Sequence, residues 1–174
     1  GNTTTSCVLA GTMIETKRGR VPVESITLDD AVLSYDFEKE EFNYYDVLHV
    51  MTPTLRNRWV NIETAGGHKL KCTEEHPLYS LITDNNEMPI NQTKVGDSVF
   101  VFESGVMTSD TIASIEIVDE SVMVYNFEVQ GVQSYISNNI LSHNKQRKEQ
   151  DTSGIGAPED LTTASQVQGA GGGS

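Results

Sequence analysis

Apolar and polar side chains alternate along much of the chain with the two-residue period of β-strands. In residues 60–64, Val, Ile and Thr alternate with Asn and Glu, and in residues 125–129, Tyr, Phe and Val alternate with Asn and Glu. The apolar runs 99–102 and 112–118 are typical of further strands. No window shows the 3.6-residue period of an amphipathic helix, and only a short turn is expected near residues 23–28. We therefore predict about ten short strands and an all-β domain.

Two links between predicted strands have the residue types of tight hairpin turns. Gly66-Gly67 and Asn138-Asn139 each stand between two short segments with strand character. Glycine and asparagine tolerate the positive φ that two-residue hairpin turns require. We predict such a turn at both links.

Composition changes after residue 144. Residues 145–174 contain no aromatic side chain and three residues of the Val, Leu and Ile type, and they end in Gly-Ala-Gly-Gly-Gly-Ser. Such a segment buries too little apolar surface to offset the loss of chain entropy. We expect a folded domain over residues 7–144, an N-terminal flank at 1–6 and a flexible polar flank at 145–174.

The formal net charge of −13 argues against nucleic acid or an anionic membrane as a partner, because both need concentrated Lys and Arg. The one basic run, residues 145–148, lies in the polar flank and is expected to be a solvated tail. No apolar stretch approaches the ~20 residues of a membrane span, and no signal peptide starts the chain. Cys7 and Cys72 are too few for a disulfide scaffold, allow one bridge at most, and leave the cellular compartment open.

Cys7 stands at the front of the predicted domain, directly before an apolar run. Its thiol could attack the carbonyl carbon of Ser6 and convert the Ser6–Cys7 amide into a thioester. This step is uphill, because a thioester is higher in energy than an amide. It needs thiolate character, a polarised peptide and an acid for the departing amine. The alternative is an ordinary core cysteine.

Thr73-Glu-Glu-His76, followed by Pro77, could supply that help. Residues three apart in one turn can face the same way, so a hydroxyl and an imidazole could address one peptide group. Imidazole suits proton transfer because its reference pKa of about 6.5 lies near neutrality. Pro77 biases His76 towards an extended backbone. The alternative is two satisfied polar side chains in a turn.

Ser142-His143-Asn144 stands at the back edge of the predicted domain. An asparagine side-chain amide can attack its own backbone carbonyl, close a succinimide and release the amine of the next residue, here Lys145. A neighbouring histidine can protonate that amine or polarise the carbonyl. Both ends of the domain therefore carry residues suited to cleaving the chain.

Together these three elements resemble the Hint superfamily of inteins, bacterial intein-like domains and hedgehog autoprocessing domains. The segments that carry the resemblance are residues 7–16, 21–26, 29–32, 67–78, 95–99 and 124–144. The resemblance implies a flat, horseshoe-shaped β fold whose two ends meet at a central site, so that Cys7 and Asn144 would share it. It also implies single-turnover, autocatalytic peptide-bond cleavage without a cofactor, with the chain's own flanking polypeptides as substrates. The 138 residues from 7 to 144 leave no room for a homing endonuclease, so a minimal form is expected.

Three positions depart from the pattern of splicing members. Asn126 stands where many carry Asp, and an amide cannot ionise. Gln133 stands where many carry a His that promotes asparagine cyclisation, and Lys145 stands where splicing needs Cys, Ser or Thr as acyl acceptor. The thioester should then hydrolyse or react with an external nucleophile, namely water, a thiol or an amine. We expect cleavage at one or both ends over splicing.

Two other functions stay open at this point: a true splicing mini-intein, and an inactive Hint fold kept as a binding or spacer module. Activity is favoured by the presence of all five candidate reactive residues, namely Cys7, Thr73, His76, His143 and Asn144. Hedgehog-type sterol transfer is disfavoured, because residues 145–174 are polar and low in complexity.

The remaining candidates receive structural interpretations. Cys72 is expected to pack in the core, with a redox trap involving Cys7 as the minor alternative. Trp59 is expected in the core. No metal site is expected, because a zinc site built from Cys72, His76 and another histidine would not have the ligand spacing of a structural zinc site.

Overall fold

The alternating segments form strands that pair into one antiparallel sheet. The computed structural model describes residues 6–79, 87–131 and 134–143. In this part of the chain there are sixteen strands and two short 3₁₀ helices, at Val23–Ser25 and Ile90–Gln92. The strands are β1 (Val8–Leu9), β2 (Met13–Thr16), β3 (Gly19–Pro22), β4 (Ala31–Asp36), β5 (Glu41–Val50), β6 (Thr54–Arg56), β7 (Trp59–Thr64), β8 (Lys69–Cys72), β9 (Pro77–Tyr79), β10 (Glu87–Pro89), β11 (Ser98–Glu103), β12 (Val106–Val118), β13 (Val122–Tyr125), β14 (Phe127–Val129), β15 (Ser134–Ser137) and β16 (Ile140–His143). The all-β prediction is confirmed. The prediction of about ten strands is too low, because strands of two to four residues show too little periodicity to be separated by pattern.

The order of strands brings the two ends of the domain next to its middle. The main path of the sheet runs β14-β5-β4-β2-β15-β16-β11-β12-β7-β8-β1-β13-β6, with β3 paired to β2, β9 to β16 and β10 to β9. The path does not close on itself, so the sheet is open. The first strand, β1, lies between β8 and β13, and the last, β16, lies beside β9 and β11.

The two predicted hairpins are present, and one turn differs from its prediction. At β15–β16, Ser137 pairs with Ile140, and both Asn138 and Asn139 have positive φ, at 48° and 69°. This is the two-residue turn that the asparagines predict. Between β7 and β8 the prediction of a two-residue turn is wrong. Four residues separate the strands, and of the two glycines there only Gly67 has positive φ, at 93°.

Residues 125–129 are not the single alternating strand that the pattern predicts. β13 ends at Tyr125 and β14 begins at Phe127, because the two strands pair with different neighbours. Asn126 at the junction is 4% exposed instead of lying on a polar face. Its Oδ1 accepts the Phe127 amide at 2.8 Å, and its backbone carbonyl accepts the Met51 amide at 3.0 Å.

Strand alternation distributes the apolar side chains among three clusters. Val8 and Cys72 belong to the largest cluster, whereas Cys7, Leu9 and Trp59 belong to a second one. Successive residues of a strand face opposite sides of the sheet, which accounts for this division. The core positions predicted for Cys72 and Trp59 are confirmed. The third cluster is rich in aromatic rings and contains Tyr79, Phe100, Ile136 and Leu141. No helix in the described ranges is long and apolar enough to cross a membrane.

Candidate active site

The segment of residues 73–76 connects β8 to β9, and each of these strands adjoins one end of the domain. β8 pairs with β1, and β9 pairs with β16. Cys7 directly precedes β1, and His143 is the last residue of β16. The structure therefore brings Cys7 and His143, one from each end, to the segment that carries Thr73 and His76.

Thr73 contacts the peptide group that the sequence predicts to be cleaved. Its hydroxyl accepts a hydrogen bond from the backbone nitrogen of Cys7 at 3.2 Å, and its own backbone nitrogen donates to the Cys7 carbonyl at 3.0 Å. Thr73 is fully buried and Cys7 is 5% exposed. The nitrogen of the Ser6–Cys7 bond is thus held by a hydroxyl in a site shielded from water, where a hydrogen bond is stronger than in solvent.

His76 is fully buried beside this contact. Its backbone nitrogen donates to the Thr73 carbonyl at 3.1 Å, whereas its two ring nitrogens have no hydrogen-bond partner among the described residues. Burial, and secondarily the nearby His143, lowers the pKa of His76 to about 3. The expectation of a group that titrates near neutrality is therefore wrong. The ring is neutral at pH 7, is a weaker base than an exposed imidazole, and once protonated is a strong acid.

Tyr135, which no sequence motif singles out, lies against His76. The two rings meet edge to face with their centroids 6.3 Å apart. Tyr135 is fully buried, and its hydroxyl has no hydrogen-bond partner in the described part of the chain. Burial, and secondarily Cys7 and Cys72, raises the pKa of Tyr135 well above 10. The phenol therefore stays protonated and remains a hydrogen-bond donor.

Cys72 behaves as a core thiol. Burial raises its pKa far above the usual range, with smaller contributions from Glu75 and Cys7, so it is not a nucleophile. No disulfide joins it to Cys7, and the two side chains pack in different apolar clusters. The arrangement gives no support to a redox trap.

Asn126 directly follows the last residue of β13 that pairs with β1. Val8 pairs with Tyr125, so Cys7 and Asn126 each adjoin the end of that pairing. The Asn126 Nδ2 is buried without a partner among the described residues. The departure from Asp noted in the sequence is therefore one residue from the strand that pairs next to Cys7.

His143 is held by a residue that the sequence analysis did not single out. Tyr79, on β9, places its hydroxyl 2.7 Å from Nδ1 of His143. The contact depends on the pairing of β9 with β16, which pattern alone does not reveal.

Of the remaining predicted residues, the structure describes one and does not describe three. Ser6 is buried, with 2% of its surface exposed. Asn144, Gln133 and Lys145 lie outside the described residues, as do nearly all of the two predicted flanks. Among the described residues, no group of three His, Cys, Asp or Glu side chains is placed to hold a metal ion.

The chain is similar to a family of known domains. The sequence model of the pretoxin HINT domain matches residues 13–146. No curated protein sequence matches the chain.

Solved structures share its fold. A bacterial intein-like domain from Clostridium thermocellum superposes with a TM-score of 0.66 at 26% identity, over 81% of this chain and 100% of that one. The gp41-1 intein gives a TM-score of 0.66 at 25% identity, over 81% and 100% of the two chains. A DnaB intein from Synechocystis sp. gives 0.68 at 14% identity, over 82% and 100%, a likeness of fold alone. These likenesses confirm the open, antiparallel all-β fold of the Hint type that the resemblance implied.

Proposed function

This chain belongs to the pretoxin HINT domain family, and we propose that it is a single-turnover self-processing domain that cuts its own backbone at Cys7 and after Asn144. The hydrogen bond from the Cys7 backbone nitrogen to the Thr73 hydroxyl carries the proposal. That nitrogen is the leaving group of an N-to-S acyl shift, and the hydroxyl lies where charge and protonation change in that step.

At the N-terminal side, His76 moves one proton twice. The neutral ring takes the proton of the Cys7 thiol, and the thiolate attacks the Ser6 carbonyl carbon. The C–N bond of Ser6–Cys7 breaks, a C–S bond replaces it, and the imidazolium returns the proton to the Cys7 amine. No proton is gained or lost overall. The lowered pKa of His76 supports the second transfer, because a ring destabilised in its charged form gives the proton up readily. It makes the first transfer costly, so the acyl shift is proposed to be slow.

At the C-terminal side, the Asn144 side-chain nitrogen attacks the Asn144 backbone carbonyl carbon. The bond to Lys145 breaks as a succinimide closes. The proton that the side-chain nitrogen loses is matched by the one that the Lys145 amine gains. His143 is the adjacent residue suited to polarising the carbonyl or carrying that proton.

Cleavage rather than splicing is the proposed outcome, because position 145 offers a poor acyl acceptor. With a reference pKa near 10.4, only about one lysine side chain in a thousand is neutral at pH 7.4. The thioester then passes to water, a thiol or an amine from outside. Asn126 and Gln133 stand where proton-transfer groups assist efficient splicing members, so both cleavage steps are proposed to be slow.

The two cysteines provide a matched test of the N-terminal step. Purified full-length chain is incubated with dithiothreitol, and release of the peptide that ends at Ser6 is followed by mass spectrometry. Cys7→Ala abolishes release, whereas Cys72→Ala, which alters a buried thiol in another cluster, retains it. Equal release from Cys7→Ala would show that Cys7 is not the nucleophile. An intact chain that thiol never cuts would favour the inactive fold kept as a spacer.

A further inference from the structure

Tyr79 and His143 are in direct contact. The Tyr79 hydroxyl oxygen and the His143 Nδ1 are 2.7 Å apart, and the two rings meet at 62° with centroids 5.4 Å apart. Tyr79 is 8% exposed, so this hydrogen bond is largely shielded from water.

The sheet holds both rings in place. Ser142 pairs with Leu78, so Tyr79 and His143 are diagonal neighbours on adjacent antiparallel strands, within reach of aromatic side chains. The Tyr79 ring also packs on Phe37, with centroids 4.9 Å apart, inside the aromatic cluster that includes Phe100. Tyr79 therefore presents its hydroxyl to one ring nitrogen from a fixed support.

We propose that Tyr79 is a positioning residue that sets the tautomer of His143. A neutral imidazole carries its proton on one nitrogen, and the hydrogen bond made by the other nitrogen decides which one. A phenol is the stronger acid of the two groups, and an imidazole nitrogen is the stronger acceptor. The Tyr79 hydroxyl donates to Nδ1, and the ring proton consequently stays on Nε2.

This assignment rests on the proposed function and deepens its C-terminal step. With Nδ1 engaged by Tyr79, Nε2–H is the donor that His143 offers to the peptide bond after Asn144. Tyr79 touches none of the reacting atoms and acts through the histidine. The contact thus connects the segment after His76 to the chemistry at the other end of the domain.

Nitrogen NMR of the full-length chain, kept intact by Cys7→Ala and Asn144→Ala together, reads the tautomer without any cleavage. The His143 ring signals are those absent from a His143→Gln chain. The expected spectrum has a protonated Nε2 and an unprotonated Nδ1. Tyr79→Phe, which removes the hydroxyl and keeps the ring, shifts the His143 signals towards a mixture of tautomers. A proton on Nδ1 in the parent chain overturns the proposal.

Rates of cleavage provide the second readout. Tyr79→Phe should slow cleavage before Lys145 by about tenfold, the effect of one neutral hydrogen bond, and leave thiol-induced cleavage before Cys7 unchanged. Tyr35→Phe, in the same aromatic cluster, is the matched control and should change neither rate. Equal slowing of both cleavages by Tyr79→Phe, or of neither, overturns the proposal. If a tail fragment still appears in Asn144→Ala, the proposed cyclisation of Asn144 is wrong. The role of Tyr79 in setting the tautomer of His143 is then tested by the NMR result alone.

Discussion

The Thr73 hydroxyl accepts a hydrogen bond from the backbone nitrogen of Cys7 at 3.2 Å, across 66 positions of sequence. β1 and β8 lie side by side in the sheet; Cys7 directly precedes β1, and Thr73 directly follows β8. The contact holds the nitrogen of the bond between Ser6 and Cys7, and it predicts how substitutions at Thr73 act.

Thr73→Val should slow thiol-induced cleavage at Cys7 about tenfold, because it keeps the shape of the side chain and removes the hydrogen bond from the Cys7 nitrogen, together with the longer one to the Cys7 carbonyl at 3.4 Å. Thr73→Ser keeps the hydroxyl and should restore most of the rate. Timed cleavage with dithiothreitol measures both. Thr64→Val is the matched control, since Thr64 is also buried and its hydroxyl also accepts a backbone amide, that of His68. Equal slowing by the two valine variants would contradict a specific role for Thr73.

His76→Ala should cost more than Thr73→Val. A positioned proton carrier typically contributes ~10²–10⁴ in rate, against about tenfold for the hydrogen bond. The same timed cleavage decides the order. Similar rates for the two variants would mean that strain in the peptide, and not proton transfer, limits the step.

The sequence predicts the reactive residues of the site but not the aromatic residues that contact them. Cys7, Thr73, His76 and His143 lie in motifs that resemble the Hint superfamily, and that resemblance implies that they share one site. Tyr79 and Tyr135 were missed because their importance depends on register: one needs β9 beside β16, and the other needs β15 to carry its ring against His76. The break at Asn126 was missed because alternation continues across it while the pairing partners change.

The lowered pKa of His76 should make stability depend on pH. In the unfolded chain His76 titrates near 6.5, and in the folded chain its pKa is about 3. Between these values the unfolded state binds a proton that the folded state does not. The contribution of His76 to stability is therefore constant above about pH 6.5 and falls as pH decreases, by on the order of 2 kcal/mol at pH 5.

Urea unfolding at pH 8 and pH 5 measures this change, with Cys7→Ala and Asn144→Ala together as the background that keeps the chain intact. His76→Leu removes the titrating group and should flatten the difference. Asp30 does not interfere, because its pKa is lowered, chiefly by the hydrogen bond from Arg18, and its contribution is lost only below ~3.8. If His76→Leu loses the same stability between pH 8 and pH 5, the loss is caused by the titration of another group.

Asn126→Asp should accelerate thiol-induced cleavage by about tenfold or more, since a positioned acid or base contributes ~10²–10⁴. Val8 pairs with Tyr125, so positions 7 and 126 both adjoin the end of that pairing, and the new carboxylate can still accept the Phe127 amide through Oδ1. Asn61→Asp, on β7, is the matched control for adding a carboxylate. If Asn126→Asp leaves the rate of thiol-induced cleavage unchanged and lowers stability, the substitution only buries a charge.

Cleavage between Asn144 and Lys145 should be slow but measurable, without appreciable ligation of the flanks. His143 and Asn144 retain the cyclising amide and its neighbouring imidazole, whereas Gln133 cannot shuttle a proton. Mass spectrometry of aged full-length chain should find a fragment that begins at Lys145. Asn144→Ala should remove that fragment while thiol-induced cleavage at Cys7 persists.

Lys145→Cys should convert part of this cleavage into splicing. A thiol at position 145 has a reference pKa near 8.5, against about 10.4 for lysine, so near neutrality a far larger fraction is in the nucleophilic form. It can take the acyl group of residues 1–6 from Cys7 by exchange of one thioester for another, after which Asn144 cyclisation releases the joined flanks.

The expected product joins residues 1–6 to residues 145–174. Lys145→Ala, which also removes the lysine but supplies no nucleophile, should not form this product. Abundant joined product from the unsubstituted chain would contradict cleavage as the main outcome. If Lys145→Cys forms no joined product while both cleavages still occur, then Asn126 or Gln133, and not the residue at position 145, prevents splicing.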